Sequence, residues 1–570
     1  MVLKCSTKPD PFAHMEMINK NMLFRILAVF AILLLNETAV VGQNKGLKTI
    51  TDQELRYQLG FLGAPEFRGR MTPSPELEIA TVYLGNWAKS SGLTPILPDG
   101  SFYQSIPMRV TSVSAPNTRL RVFTEQGEQV FYYQKSFGGN YSTSGSYSGE
   151  VVFVGLGISN PDLGWDDLKD LDLANKMVIL LDEPMPGQKS DLGSTYAYRL
   201  SSRINLIRER GAAGVLTIIP PELEIKRVAG EEVFERIPAG RMIDNYDTQR
   251  RGTPSAQTQA NQPPRRPSLP FGQAAIGHNL AASILAIDQE QVAAMFLNIR
   301  KGNPVPAKIL SDTRIQLNVE VETHIRSSRN VIAEIPGSDP ELKNEYIVIC
   351  AHHDHLGISD GQVIAGADDD GTGTVALLAI AKALLTERPK RSVIIAWFTG
   401  EEQGLYGSHY FVNNCPVPVE KISTCLNLDM LGRNNTDSLF LVGSNLLSSE
   451  LDAAIQKANR KSGINFGFNY LYSNLTHPQR VYFRSDHYPF IRFGIPSVWL
   501  FCGFTPDYHT PKDVLEYIDY QKFLKITKLT YLTAFDIGNQ KSLLKLDANP
   551  AVTSRGKHNM ATSSLFQNSK

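Results

Sequence analysis

The chain has 570 residues, too many for one hydrophobic core, and implies two or three domains. Hydrophobic residues make 42% of it and charged residues 20%, which excludes intrinsic disorder, collagen and a multi-span membrane protein. Lys plus Arg and Asp plus Glu are 57 each, so no excess of positive charge favours a nucleic-acid partner. Near the start, residues 26–35 form an unbroken apolar run preceded by Lys20 and Arg25 and followed by small residues up to Gly42. The run is too short to cross a bilayer. It reads as an export signal covering residues 1–42, which places the mature chain in the periplasm or outside the cell with no stable membrane span. Five cysteines in a chain this long do not make the disulfide framework of a small secreted domain, and cleavage there leaves Cys350, Cys415, Cys425 and Cys502, whose pairing spacing does not give.

Two helices are expected next, over 51–62 and 75–90, from apolar residues at helical spacing. Short β-rich runs follow at 120–123 and 130–133, then a flexible Gly- and Ser-rich stretch over 138–149 that suggests a boundary. Residues 141–307 read as a smaller α/β unit, with strands at 151–154, 177–181 and 215–219 and helices at 203–210 and 289–299. Within that unit, residues 251–270 are rich in Pro and Gln and read as an exposed loop. Beyond 307, strands at 347–351, 393–398, 424–428 and 497–501 alternate with helices at 375–385, 451–458 and 523–535. That alternation predicts an α/β fold with a mostly parallel central sheet flanked by helices. The larger domain is therefore discontinuous, 43–140 plus 308–545, and residues 546–570 form a polar tail.

Each of the four late strands ends in, or runs into, an acidic residue or a histidine. His352 and Asp354 follow the first, Glu401 and Glu402 the second, Asp429 the third, and Tyr508 and His509 lie in the loop after the fourth. In open α/β sheets the ligand crevice lies outside the carboxyl ends of the strands, so these residues should converge. A glycine-rich turn over 366–373 adds Asp368, Asp369 and Asp370. Carboxylates with imidazoles and no thiolate suit zinc, manganese or cobalt. Two ions fit best if one carboxylate bridges them: His352, Asp429 and Asp369 on one ion, Glu402, His509 and Asp369 on the other. That leaves an open position for water, whose proton Glu401 is placed to take. Asp354 is expected to accept a hydrogen bond from the far nitrogen of His352, and Tyr508 to stabilise an oxyanion. Spacing separates neither the three aspartates nor the two glutamates. His353, His355, His409, His477 and His487 are read as surface or structural, with His355 and His487 near enough to the site loops to support them.

At these positions the chain resembles the co-catalytic zinc exopeptidases, a family that includes secreted bacterial aminopeptidases and glutamate carboxypeptidase. The likeness rests on AHHDHLG at 351–357, GADDDGTG at 366–373, FTGEEQGLYGS at 398–408, NLDMLGR at 427–433, SDHYPF at 485–490 and YHTPKD at 508–513. It implies zinc ligands His352, Asp369, Glu402, Asp429 and His509, with Asp369 as bridge and Glu401 as base. Tyr508 resembles the family's oxyanion-stabilising tyrosine. The middle region, GEVVFVGLGI at 149–158, NKMVILLDEP at 175–184 and GAAGVLTII at 211–219, is similar to a protease-associated domain inserted into the peptidase domain. The expected function is a secreted or periplasmic dizinc exopeptidase acting on peptides, an aminopeptidase first and a carboxypeptidase or dipeptidase second. A metal-free receptor-like scaffold and a single-zinc acyltransferase resembling glutaminyl cyclase are the readings outside peptide hydrolysis, and the complete ligand set argues against both.

Overall fold

The computed structural model describes residues 45–161, 165–186, 200–235, 237–243, 271–359, 361–547 and 554–556. The expected export signal, the 251–270 loop and nearly all of the polar tail lie outside them. Helices α1 (Asp52–Leu62) and α2 (Pro75–Ser91) open this part of the chain. Thr51 caps α1 by accepting from Glu54 N–H, and Ser74 caps α2 by accepting from Leu77 N–H. Pro75 suits the first turn because a helix leaves that N–H unpaired in any case. Gly92, at φ 89°, stops α2 in the left-handed conformation that costs glycine least.

An eight-stranded sheet forms from the middle of the chain. At its centre, β1 (Gly145–Phe153), β2 (Met177–Leu181), β3 (Gly214–Ile218) and β4 (Gly272–Ile276) run parallel. Strand β1 starts inside the stretch expected to be a flexible loop, because Gly145–Val319 pairing draws those residues into the ladder. Four further strands, Arg119–Thr124, Gly127–Tyr132, Phe137–Gly138 and Lys308–Val319, join the same sheet from outside residues 141–307. Both faces are apolar: Phe153, Ile179 and Leu216 pack into one core, Val152, Val178 and Val215 into the other. Helix α3 (Gln289–Arg300), with an Asp288/Gln291 capping box, covers the first of these faces through Val292, Phe296 and Ile299.

The larger, ten-stranded sheet holds β5 (Tyr346–His352), β6 (Ser392–Phe398), β7 (Ile422–Leu428) and β8 (Ser497–Phe501) in the spatial order β6-β5-β7-β8, all parallel. Around them the pairing is antiparallel on both sides, through Val321–Ile335 with Tyr103–Val113 and through Ser438–Val442. The expectation of a mostly parallel sheet is therefore corrected to a mixed one. Two long strands returning beside each other cannot be parallel without a crossover, and Val321–Ile335 exposes most of its first half, so it carries no apolar pattern to read. The edge strand Gly240–Met242 joins this sheet from the middle of the chain.

Strands β5 to β8 are buried along nearly their whole length. Along β5, Ile347 and Ile349 enter the core under α4 (Gly373–Thr386) and α5 (Tyr520–Gly538), while Val348 and Cys350 pack on the opposite face with Phe411 and Phe490. Truncating one such residue to Ala removes about 2–5 kcal/mol. The four described cysteines are free thiols, with Cys350 and Cys425 Sγ atoms 3.4 Å apart on neighbouring strands. Among the described residues no single helix is long and apolar enough to cross a membrane.

Candidate metal centre

The parallel strands deliver their charged residues to one end of the large sheet. His352 closes β5, Glu401 and Glu402 stand on the loop after β6, Asp429 follows β7, and His509 lies on the loop after β8. Asp369 comes from the turn Ala367–Thr372 that leads into α4. Only glycine fits at two places in this turn. Gly366 sits at φ 65°, where a Cβ would lie 2.2 Å from Asp369 O, and a Cβ on Gly373 would lie 2.3 Å from Leu428 O.

Asp369 stands between two imidazoles. Its Oδ1 is 3.3 Å from His352 Nε2 and its Oδ2 is 3.2 Å from His509 Nε2. Asp429 Oδ1 lies 3.6 Å from His352 Nε2, and Glu402 Oε2 lies 3.3 Å from His509 Nε2. The geometry thus gathers two trios that share Asp369.

It also separates the three aspartates that spacing left open. Asp368 Oδ1 accepts from Gly432 N–H, and Asp370 accepts from His352, Gly373 and Met430 N–H groups. Asp370 lies within ligand spacing of His352 and Asp429, but both of its oxygens already hold the backbone. The two glutamates separate likewise, since Glu402 faces His509 while Glu401 is buried beside it without an ion-pair partner among the described residues.

Around the site stand residues that the sequence reading did not single out, although three lie inside the quoted motifs. Ser485 donates to Asp429 Oδ2 at 2.5 Å and accepts from Asn427 Nδ2 at 2.7 Å. Asp513 accepts from the N–H groups of Asp368 and Asp369 at 2.9 and 3.0 Å. Arg70, fully buried, donates to the carbonyls of Leu62, His353, Ala365 and Gly366 and so ties the aspartate turn to the loop after β5. Their shared effect is to fix the orientation of the carboxylates and imidazoles.

One expectation is corrected here. His352 Nδ1 lies 3.0 Å from the main-chain carbonyl of Asp354, whereas the Asp354 carboxylate is 3.7 Å away and accepts instead from Glu401 N–H. The carbonyl is closer because the chain turns back just after β5. His355 is a larger departure: it is buried in the site with Nδ1 2.7 Å from Glu402 Oε1. His353 is buried between Phe398 O and Thr81 Oγ1, and burial lowers its pKa to about 3. His409 and His487 are buried as well, so none of these three is a surface residue.

The electrostatics follow from this crowding. Burial disfavours charge on Asp369, yet His355, His352 and His509 together hold its carboxyl well below the usual range. Burial likewise opposes a charged His509, but Glu402 and Asp369 raise its pKa to about 10. Against burial and the Asp369 charge, His509 and His355 bring Glu402 down to about 2. Glu401 goes the other way: burial, with Glu402, Asp486 and Asp429 adding and His352 opposing, pushes it well above an ordinary glutamate. Burial and the charges of Asp369 and Glu402 also raise Tyr508, whose ring stacks on His509 at 3.7 Å.

The donor set fits divalent metal ions. His355 Nε2 is buried with no hydrogen bond, and His355 Nδ1, Glu402 Oε1 and His509 Nε2 meet one another or Asp369 without hydrogen-bond geometry, a cost that proteins rarely accept unless a ligand satisfies the atoms. Hard oxygens and imidazoles without thiolate are the chemistry of zinc and its neighbours. His509 itself sits at φ 58°, a strained conformation for a histidine and of the kind that clusters at functional sites. A cavity of about 120 Å³ opens over Asp369, Glu401, Glu402, Asp429, Tyr508 and His509, and is also lined by Met430, Arg484, Trp499 and Phe504.

Compared with known proteins, residues 330–534 match the model of Peptidase family M28, a stretch that contains all five clustered residues. The probable leucine aminopeptidase 2 of Trichophyton verrucosum is 28% identical over 235 residues, 40% of this chain and 44% of that protein. The corresponding protein of Aspergillus fumigatus is 31% identical over 193 residues, 32% of this chain and 35% of its own length. The chain thus spans less than half the length of the curated relatives it matches. Two solved structures share the fold over most of the chain. The Peptidase M28 precursor from Shewanella amazonensis has TM-score 0.50 and 18% identity, covering 90% of this chain and 99% of that one. The zinc aminopeptidase from Bacillus subtilis has TM-score 0.50 and 15% identity, with coverage of 87% and 98%.

Proposed function

The chain carries a Peptidase family M28 domain over residues 330–534, and on that premise we propose that it is an exported metallo-exopeptidase that holds two zinc ions and releases N-terminal residues from peptides. The observation that carries this reading is Asp369, whose two oxygens each face a different histidine. His352, Asp429 and Asp369 would hold one ion, and Glu402, His509 and Asp369 the other. When bound, such ions supply Lewis acidity and make water acidic enough to act as a nucleophile near neutral pH.

The protein's own groups do the rest. Glu401, buried beside the trios, takes the proton of the attacking water and returns it to the leaving amine. Tyr508, at the cavity wall, donates a hydrogen bond to the oxygen that gains charge in the transition state. The Asp354 carbonyl fixes the tautomer of His352, and Ser485 with Asn427 holds Asp429 in place. His355, close to both Asp369 and Glu402, steadies those carboxylates from behind.

The eight-stranded sheet, with cores on both of its faces, supports the reading of an inserted protease-associated domain; limits are proposed at 141 and 307, with strands from 119–138 and 308–319 completing its sheet and Gly240–Met242 pairing with the larger one. Export rests on the apolar run at 26–35. The test is zinc content with turnover: the purified protein, dialysed against zinc, should hold about two ions per chain and cleave leucyl-arylamides. Absence of zinc together with absence of cleavage would favour the receptor-like reading, and a single ion the acyltransferase.

A further inference from the structure

The cavity over the metal centre is lined by four acidic residues and, apart from its histidine, a single cationic side chain, Arg484. The surrounding arginines are otherwise engaged. Arg433 is ion-paired with Asp507 and lies 3.9 Å from Asp513, and the Arg480 guanidinium lies over the Phe483 ring. Arg484 differs. Its guanidinium lies 5.2 Å from the centre of the Phe504 ring, which also lines the cavity, and its charge reaches Tyr508. It is solvent-exposed and has no carboxylate partner among the described residues. The buried acids thus form the floor of the cavity and an unpaired guanidinium stands at its rim.

We propose that Arg484 binds a carboxylate carried by the substrate next to the bond that is cut, so that the preferred substrates are dipeptides and other short peptides with a free carboxyl end. The inference rests on the peptidase reading above. An arginine presents its donors as a fork that matches a carboxylate, and a charge-assisted bond of this kind is stronger than a neutral one. Phe504 beneath it, itself packed against Tyr508, limits the directions the guanidinium can take, which lowers the entropy lost on binding. A small cavity suits a short substrate, because each further residue must leave past the rim. A carboxylate can also come from an acidic side chain, and the test keeps the two sources apart.

The zinc-loaded protein is assayed on Leu-Gly, Leu-Gly amide, Leu-arylamide and Glu-arylamide, as wild type, Arg484→Gln and Arg484→Lys. For the wild type, kcat/KM for Leu-Gly should exceed that for Leu-Gly amide by about tenfold. That ratio should fall to near one in Arg484→Gln and recover in part in Arg484→Lys, whose point charge lacks the fork. If Glu-arylamide is preferred over Leu-arylamide and the preference disappears in Arg484→Gln, while Leu-Gly and its amide are cut alike, the carboxylate comes from a side chain and the dipeptide assignment is overturned. Equal ratios in wild type and Arg484→Gln overturn the role of Arg484 altogether while leaving the peptidase reading intact. No cleavage of any of the four by a zinc-loaded wild type removes the peptidase reading itself.

Discussion

The two sheets contain the same element, four adjacent parallel strands, and they treat the charges at the strand ends in opposite ways. After β2, Glu183 is buried and paired with Arg300, which also holds Glu222 from the helix that follows β3. After β4, His278 bonds the carbonyl of Ile219. Charge in the eight-stranded sheet is thus closed off within the fold. At the ends of β5 to β8 the acids of the two trios meet imidazoles instead of guanidinium groups, and several buried imidazole and carboxylate atoms are left without hydrogen bonds. Parallel strands bring charges together in both cases, but among the described residues only at the larger sheet are the unsatisfied atoms those of imidazoles and carboxylates, the groups suited to a metal ion.

The sharpest way to break this comparison is Asp369→Asn. Losing the shared carboxylate should reduce zinc content well below two per chain and abolish hydrolysis, measured by elemental analysis and arylamide turnover. Retained zinc and activity would show that the two trios do not depend on a common group. Glu401→Gln should lower kcat by about 10²–10⁴-fold while zinc content stays near that of the wild type. Full activity in that variant would remove Glu401 as base. Ser485→Ala, which frees one oxygen of Asp429, should cost about 10–100-fold in zinc affinity or activity, read by competition with a chelator. The smallest functional effect belongs to the other sheet. Arg300→Met should lower stability to denaturant by about 1–3 kcal/mol, because Glu183 loses its partner while buried, and should leave kcat unaltered. A loss of activity at unchanged stability would show that the second sheet takes part in the chemistry.

Much of the site was legible because metal chemistry demands particular residue types and α/β topology dictates where they stand. His352, Asp429 and His509 lie far apart in sequence, yet each follows an apolar run long enough to read as a buried strand. What spacing alone left open was which of three adjacent aspartates and two adjacent glutamates faces inward. Hydrogen bonds made by residues far along the chain decide that, as Gly432 does for Asp368 and Met430 for Asp370. The sequence makes His355 a supporting residue at most, because nothing in its neighbourhood shows that the turn after β5 brings it back to Glu402. The mixed character of the sheet was missed for a related reason. The first half of Val321–Ile335 is exposed and polar, so only its last few residues carry an apolar run.

The amino-acid sequence by itself determined the parallel strands, the helices that cover them and the kinds of side chain at the strand ends, since burial and backbone hydrogen bonding set those locally. Tertiary structure alone decided which carboxylate oxygen meets which imidazole, which acids are spent on the backbone, and that Arg484 rather than Arg433 faces the cavity. These outcomes depend on contacts between residues remote in the chain, and such contacts leave no periodicity behind.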